Sequence, residues 1–183
     1  MAESLVGLTF RPSDPSTQPT YAILERRRGK IHLIEVGVLN RWEEVFQVLP
    51  DGTGRFALNF IYYPQGFYRL PKFRLKLYVD TISEVLRRSE DFGKEVVLIH
   101  VASFYRRNGV LPSKNTLAGL HVRFKRLNEY ITGLGRFRLV DHGWRIHPSD
   151  LLDALATALS LHFVDSGRGT FKEVEGFRIF LPR

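Results

Sequence analysis

Two aspartates near the carboxyl end of the chain are spaced so that they could act together. Asp150 and Asp153 lie three residues apart in the segment HPSDLLDALATALSLHF. The apolar periodicity of this segment predicts a helix from Pro148 to about Val164, so both carboxylates project from one side near its start. Paired carboxylates could bind Mg²⁺ for phosphoryl chemistry. They could equally serve the helix alone, because acids in a first turn complement the helix dipole.

His100 is a third candidate, in the apolar run EVVLIHVAS at residues 95–103. It could act as a base or as a metal ligand together with Asp150 or Asp153, since imidazole suits transition metals better than Mg²⁺. Asp14, in a proline-rich segment, could add a further carboxylate. The structural alternative is a histidine packed on a central strand. No glycine-rich nucleotide motif follows a predicted strand, so no nucleotide cofactor is predicted.

Basic residues cluster in two stretches without acids, one between Asp51 and Asp80 and one between Glu95 and Glu129. The first stretch interleaves aromatic residues, and aromatic faces beside cations suit single-stranded nucleic acid through stacking and phosphate contacts. Alternatively, the aromatic residues fill the core and the cations cover a solvated face. The candidate nucleic-acid-binding residues are Arg69, Lys72, Arg74, Lys76, Arg106, Arg107, Lys114, Arg123, Lys125 and Arg126.

Composition limits the classes of protein to consider. The 183 residues carry 27 Lys and Arg against 19 Asp and Glu, a net charge of +8 that favours polyanionic partners such as nucleic acid. The length predicts one domain over residues 1–183, and 44% apolar residues allow a sizeable core. The absence of cysteine excludes disulfides and thiolate metal sites. Without an apolar run of membrane-spanning length or a signal peptide, we expect no membrane association and a cytoplasmic location. The excess of arginine over lysine suggests a thermophilic source or a GC-rich genome.

The elements that must position these residues follow from hydrophobic periodicity. Strands are predicted at 4–10, 21–27, 30–38, 55–63, 95–103, from Arg136 onward and at 176–183, and helices at 41–49, 71–89, 116–132 and 148–164. Three opening strands followed by alternating strands and helices predict an α/β fold. We expect a mixed sheet, with antiparallel opening strands and then parallel strands, flanked by helices, with the 95–103 strand inside it.

Several short motifs resemble, in chain order, those of a known superfamily. LLDALATAL resembles the last helix of RNase H-like nucleases of the Holliday-junction-resolvase type, in which acids bind catalytic metal. GLTFRPSDPSTQP, YPQGFYRLP and the closing EGFRIFLP are similar to motifs of an uncharacterised group of predicted RNase H-fold nucleases. This resemblance implies an RNase H-like domain whose first strand, 95–103 strand and last helix meet at one site. VVLIHVASF also resembles the histidine-containing strand of a PIWI domain.

The chain departs from this pattern at three acidic positions. The expected acids fall on Thr9, Tyr62 and His100, which leaves Asp150 and Asp153. Two-metal phosphoryl transfer needs several converging carboxylates, and threonine or tyrosine cannot replace their charge. The resemblance therefore implies a nucleic-acid-binding protein, for DNA or RNA, that is derived from a nuclease, is catalytically inactive and has no cofactor.

Two alternatives remain open at this point. One is a metal-dependent nuclease that uses Mg²⁺ or Mn²⁺ with Asp150, Asp153 and His100. The other is a protein-interaction module with a solvated basic surface, acting with a protein partner or as a homodimer.

Overall fold

A computed structural model describes residues 2–11, 18–61, 71–106, 111–136 and 147–183. Within these ranges eight strands form a single sheet. The strands are β1 (Glu3–Thr9), β2 (Thr20–Arg27), β3 (Lys30–Val38), β4 (Arg55–Asn59), β5 (Glu95–Ile99), β6 (Ile131–Thr132), β7 (Gly169–Val174) and β8 (Phe177–Pro182). Their order across the sheet is β6-β3-β2-β1-β4-β5-β8-β7.

The pairing of these strands is mixed. The opening strands β1, β2 and β3 pair antiparallel to one another, as expected for two successive hairpins. β4 pairs parallel to β1, β5 parallel to β4, and β8 parallel to β5. This arrangement confirms the predicted mixed α/β sheet, and β5 lies inside it between β4 and β8.

Helices cover both faces of the sheet. They are α1 (Val45–Val48), which follows a 3-10 turn at Trp42–Glu44, α2 (Lys72–Asp91), α3 (Val101–Tyr105), α4 (Leu117–Asn128) and α5 (Pro148–Asp165). Alternate side chains of β1 enter two separate cores, since Leu5 packs with α5 while Val6 packs with α2. Every helix within the described ranges is too short or too polar to span a membrane.

A glycine in β1 brings α5 against the sheet. A Cβ atom at Gly7 would lie 2.3 Å from the backbone N of Ala158 and 2.6 Å from the carbonyl O of Ala154. Only a residue without a side chain permits this approach. The middle of α5 is therefore held against the second half of β1.

The 95–103 strand prediction is wrong beyond Ile99. The Phe60 N–H donates to the Ile99 carbonyl at 2.7 Å and the His100 N–H donates to the Phe180 carbonyl at 2.9 Å, and the chain then turns into α3. Continuous apolar character cannot distinguish a buried strand from a strand followed by a buried helix. His100 is therefore a residue at the end of a strand and not in the middle of one.

Other element boundaries also differ from the predictions. The strand predicted to reach Tyr63 ends at Asn59, and the helix predicted over 116–132 ends at Asn128, after which Ile131–Thr132 forms β6. β7 lies between the predicted last helix and the predicted closing strand, where the sequence pattern predicts no strand. Arg136 closes a short 3-10 turn, and the rest of the strand predicted from it lies outside the described residues.

Candidate functional site

The carboxyl ends of three neighbouring strands form the candidate site. Thr9, Asn59 and His100 lie at or just after the ends of β1, β4 and β5. In open α/β sheets, ligands bind just outside the carboxyl ends of the strands, and we call this side the carboxyl edge of the sheet. A cavity of about 170 Å³ lies here, and it is lined by Asn59, Ile61, His100, Val101, Ala102, Tyr105, Arg106, Lys114, Arg123 and Asp153.

Thr9 and Asn59 form a buried, uncharged pair. The Asn59 Nδ2 donates a hydrogen bond of 3.1 Å to the Thr9 Oγ1, and both residues are buried. Asn59 was missed at the sequence level, although it is the only polar residue in the segment FALNF. These strand ends thus supply hydrogen-bonding groups but no negative charge.

His100 is held uncharged at neutral pH. Burial lowers the pKa of its imidazole from the ordinary 6.5 to about 4, and the positive charge of Arg106 lowers it further. A backbone hydrogen bond to Phe60 acts in the opposite direction but is outweighed. Its Nδ1 lies 3.4 Å from the Phe60 carbonyl oxygen. Unlike the glutamate expected at this position, a neutral ring carries no charge for a metal ion.

Asp150 and Asp153 are both paired with basic side chains. The Lys114 Nζ lies 2.8 Å from Asp153 Oδ2 and 3.9 Å from Asp150 Oδ1, and the Arg11 Nη2 lies 2.9 Å from Asp150 Oδ2. Burial raises the pKa of the Asp153 carboxyl, and the positive charges of Lys114 and Arg123 act against this rise. The two acids therefore face one side, as the spacing predicts, but protein cations already occupy their neighbourhood.

These residues do not fit a divalent metal ion. Mg²⁺ and Mn²⁺ need converging, negatively charged oxygen ligands. Within the described ranges there is no group of three or more histidine and acidic side chains that could hold a metal. Tyr62 and Asp14 lie outside these ranges.

The predicted nucleic-acid-binding cations fall into an exposed and a buried group. Lys72, Arg74, Lys76, Arg106 and Lys125 are exposed, and Lys114 is partly exposed. Arg69 and Arg107 lie outside the described residues. Arg123 and Arg126 are each only 6% exposed, so neither lies on an open surface.

The two buried arginines have internal partners. The Arg123 Nη1 donates to the carbonyls of Pro112 and Gly119, both at 2.9 Å, and its guanidinium lies 5.3 Å from the centre of the Tyr105 ring. Arg126 lies over the rings of Phe104 and Tyr130 at 5.2 and 4.9 Å and pairs with Glu129. Arg126 therefore serves the packing of α4, whereas Arg123 also reaches the wall of the cavity.

The start of α2 adds exposed cations and an exposed aromatic ring at the same edge of the sheet. α2 connects β4 to the parallel strand β5, so its first turns lie near the carboxyl end of β4. The Ile61 N–H donates to the Tyr78 hydroxyl at 3.0 Å, which fixes this position. Phe73 is 69% exposed, with the guanidinium of Arg74 5.7 Å from its ring centre. By contrast, Phe56 and Phe60 of the same basic stretch are fully buried in the core.

Comparison with known proteins defines the class of fold. No protein-family model and no curated protein sequence matches the chain. Among solved structures, the chain is similar to RuvC of T. thermophilus in complex with a Holliday junction substrate, with a TM-score of 0.51 and 16% identity over 90% of this chain and 96% of that chain. Together with the mixed sheet flanked by helices, this similarity defines an RNase H-like α/β fold.

Proposed function

We propose that the protein binds nucleic acid, DNA or RNA, through an RNase H-like domain that has lost metal-dependent cleavage. The observation that carries this proposal is the pairing of the two remaining carboxylates with cations at the strand ends. Asp153 is paired with Lys114, and Asp150 with Arg11. Where a nuclease of this type needs negative charge for its metals, this chain has neutral strand ends and positive side chains.

The distribution of charge supports a polyanionic ligand. The net charge is +8, and exposed cations at the start of α2 and after α3 lie at the same edge of the sheet as the cavity. Phosphate contacts from lysine and arginine release counterions and favour binding without regard to sequence. The similar RuvC structure contains a nucleic acid, which makes nucleic acid the first ligand to test for this fold.

A mobility-shift experiment in EDTA tests this proposal. Labelled single-stranded, duplex and branched DNA and single-stranded RNA are titrated with the protein at low salt and then at increasing salt. We expect binding without divalent metal and a steep loss of affinity with salt. Absence of binding to all four ligands at low salt would reject the proposal and favour a protein-interaction module.

A cleavage assay separates the binding protein from a surviving nuclease. The same substrates are incubated with Mg²⁺ or Mn²⁺, and the parent protein is compared with Asp153→Asn. We expect no cleavage by either protein. Metal-dependent cleavage that Asp153→Asn abolishes would establish the nuclease alternative instead.

A further inference from the structure

The cavity at the strand ends contains an internal cation between two carboxylates. The Lys114 ammonium lies 2.8 Å from Asp153 and 3.9 Å from Asp150, so one positive charge contacts both acids. The Lys114 side chain is 39% exposed, whereas that of Asp153 is only 10% exposed. The ammonium group can therefore hold the carboxylates on one side and meet a ligand on the other.

The charges that line the cavity favour an anion. Lys114, Arg106 and Arg123 contribute three positive charges and Asp153 one negative charge, which leaves a net charge of +2. His100 and Asn59 add uncharged hydrogen-bonding groups to the same wall. A divalent cation would be repelled here, whereas an oxyanion would gain charge-assisted hydrogen bonds.

Arg123 supplies an independent sign of a missing partner. Its Nε is buried and has no hydrogen-bond partner among the described residues, although its Nη1 has two. Buried donors without partners are rare, because each loses its bond to water and gains nothing in return. The Arg123 guanidinium also lines the cavity, so part of its positive charge faces the space that an oxyanion would fill.

We propose that the cavity binds a phosphate group without any divalent metal, and that the Lys114 ammonium takes the place that a metal ion would have beside Asp150 and Asp153. The proposal rests on the proposed nucleic-acid-binding function and names its central contact. With a volume of about 170 Å³, the cavity is large enough for a phosphate group, because a water molecule needs only about 10–15 Å³ of such space. A backbone diester and a terminal phosphate monoester share the chemistry that these groups recognise.

Calorimetric titration with inorganic phosphate in EDTA tests the site directly. The parent protein is compared with Lys114→Met, which removes the charge and keeps the chain length, and with Lys30→Met as a matched control. Lys30 is exposed and pairs with Arg27 in the hairpin at the opposite edge of the sheet. We expect the parent and Lys30→Met to bind phosphate equally and Lys114→Met to bind at least about tenfold more weakly.

Two further variants keep the test valid if Lys114→Met folds poorly. Lys114→Arg retains the positive charge and should retain phosphate binding. The double variant Lys114→Met with Asp153→Asn removes both members of the ion pair, leaves no unpaired buried charge, and should fold but bind phosphate weakly. Unchanged phosphate affinity in the folded double variant, or binding by the parent that requires Mg²⁺, would overturn the proposal.

Two oligonucleotides of one sequence, with and without a 5′-phosphate, identify the source of the phosphate. If the 5′-phosphate raises the affinity for the parent but not for Lys114→Met, the site binds a terminal monoester. If both oligonucleotides bind the parent equally, and both bind Lys114→Met more weakly, the site binds a backbone diester. If both oligonucleotides bind the parent and Lys114→Met equally well, nucleic-acid binding stands and the phosphate site is rejected. If neither binds while inorganic phosphate does, the phosphate site stands and the nucleic-acid proposal fails.

Discussion

At the scale of single residues, burial controls the protonation of His100. Its pKa is about 4 in the folded chain against an ordinary value of 6.5, so the unfolded chain takes up a proton first as the pH falls. Above pH 6.5 the imidazole is neutral in both the folded and the unfolded chain, and the free energy of unfolding is unaffected by its titration. Between pH 6.5 and about 4 only the unfolded chain binds the proton, so the free energy of unfolding falls as the pH falls. The loss amounts to about 2–3 kcal/mol near pH 4.5.

We therefore expect His100→Gln to flatten the acid side of the stability curve. Urea unfolding at pH 7 and pH 4.5 should show a smaller loss of unfolding free energy in the variant than in the parent, by about 2 kcal/mol. Burial also lowers the pKa of His162, but that residue is present in both proteins and cancels in the comparison. Equal losses in parent and variant would contradict the assignment.

Removal of the cations beside Asp150 and Asp153 should raise the affinity of this site for a divalent metal. In Lys114→Ala combined with Arg11→Ala, both carboxylates lose the cations that pair with them, and hard oxygen ligands then favour a divalent ion. At a Mn²⁺ concentration 100 times the dissociation constant, thermal melts should show this variant to be more stable than in EDTA by about 2–3 kcal/mol. The parent should melt alike in both conditions, as should the triple variant that adds Asp153→Asn. A metal response in the parent would contradict the role assigned to Lys114.

Sequence reasoning reached some site residues and could not reach others. Periodicity predicted the strand that carries Thr9 and the helix that carries Asp153, and the resemblance to RNase H-like nucleases implied that the two meet at one site. Asn59 gave no signal beyond being polar, because a single asparagine at the end of a strand is an ordinary finding. The pairing of Lys114 with Asp153 joins residues 39 positions apart in the chain, and it depends on how α5 packs beside the loop before α4.

At the scale of elements, the contact between β1 and α5 aligns the site. Gly7→Ala would place a methyl group within 2.3 Å of the Ala158 backbone, so helix and strand must separate. We expect a loss of about 3 kcal/mol in the free energy of unfolding. Denaturant unfolding measures this loss.

Gly54→Ala is the matched control for this experiment. A Cβ at Gly54 would meet nothing within 4 Å, and its backbone does not require glycine. This variant should differ from the parent by no more than about 0.5 kcal/mol. Similar losses for both variants would show that the approach of α5 to β1 is not the cause.

Neighbouring cations on α4 should respond differently to charge reversal. Arg126 is buried over two aromatic rings, whereas Lys125 is exposed. Arg126→Glu should lower the free energy of unfolding by at least about 3 kcal/mol, because it buries an unpaired charge and removes the packing of the guanidinium. Lys125→Glu should change it by less than about 0.5 kcal/mol. Chemical denaturation of both variants checks the difference, and equal stability of the two would disprove it.

The elements that sequence reasoning missed are those whose state depends on tertiary contacts. α3 has the apolar composition of the strand before it, and the change from strand to helix comes where the β5 ladder ends. β7 is largely exposed and pairs with β8 through a tight turn in which Glu175 and Gly176 both have positive φ. Local pattern gave little indication of either element, whereas the long periodic helices α2 and α5 were predicted closely.

At the scale of the whole molecule, the exposed cations at one edge of the sheet should set the salt dependence of binding. Replacing Lys72 or Lys76 by alanine should lower the slope of log affinity against log salt by about 1 for each phosphate that the variant no longer neutralises. Lys30→Ala, at the opposite edge, should leave the slope unchanged. Mobility shifts across a salt series measure these slopes. A slope that falls equally for Lys30→Ala would show that binding follows net charge and not this surface.

The position of β1 in the sheet governs the order in which the chain can fold during synthesis. β1 lies centrally, yet the helix that covers one of its faces begins at Pro148. At ribosomal rates, on the order of 10 s separates the emergence of these two elements. During that interval Leu5, Ala22 and Leu24, which pack against α5 in the folded chain, lack this cover. The nascent chain therefore presents an apolar surface of the kind that chaperones hold, until the last helix arrives to cover it.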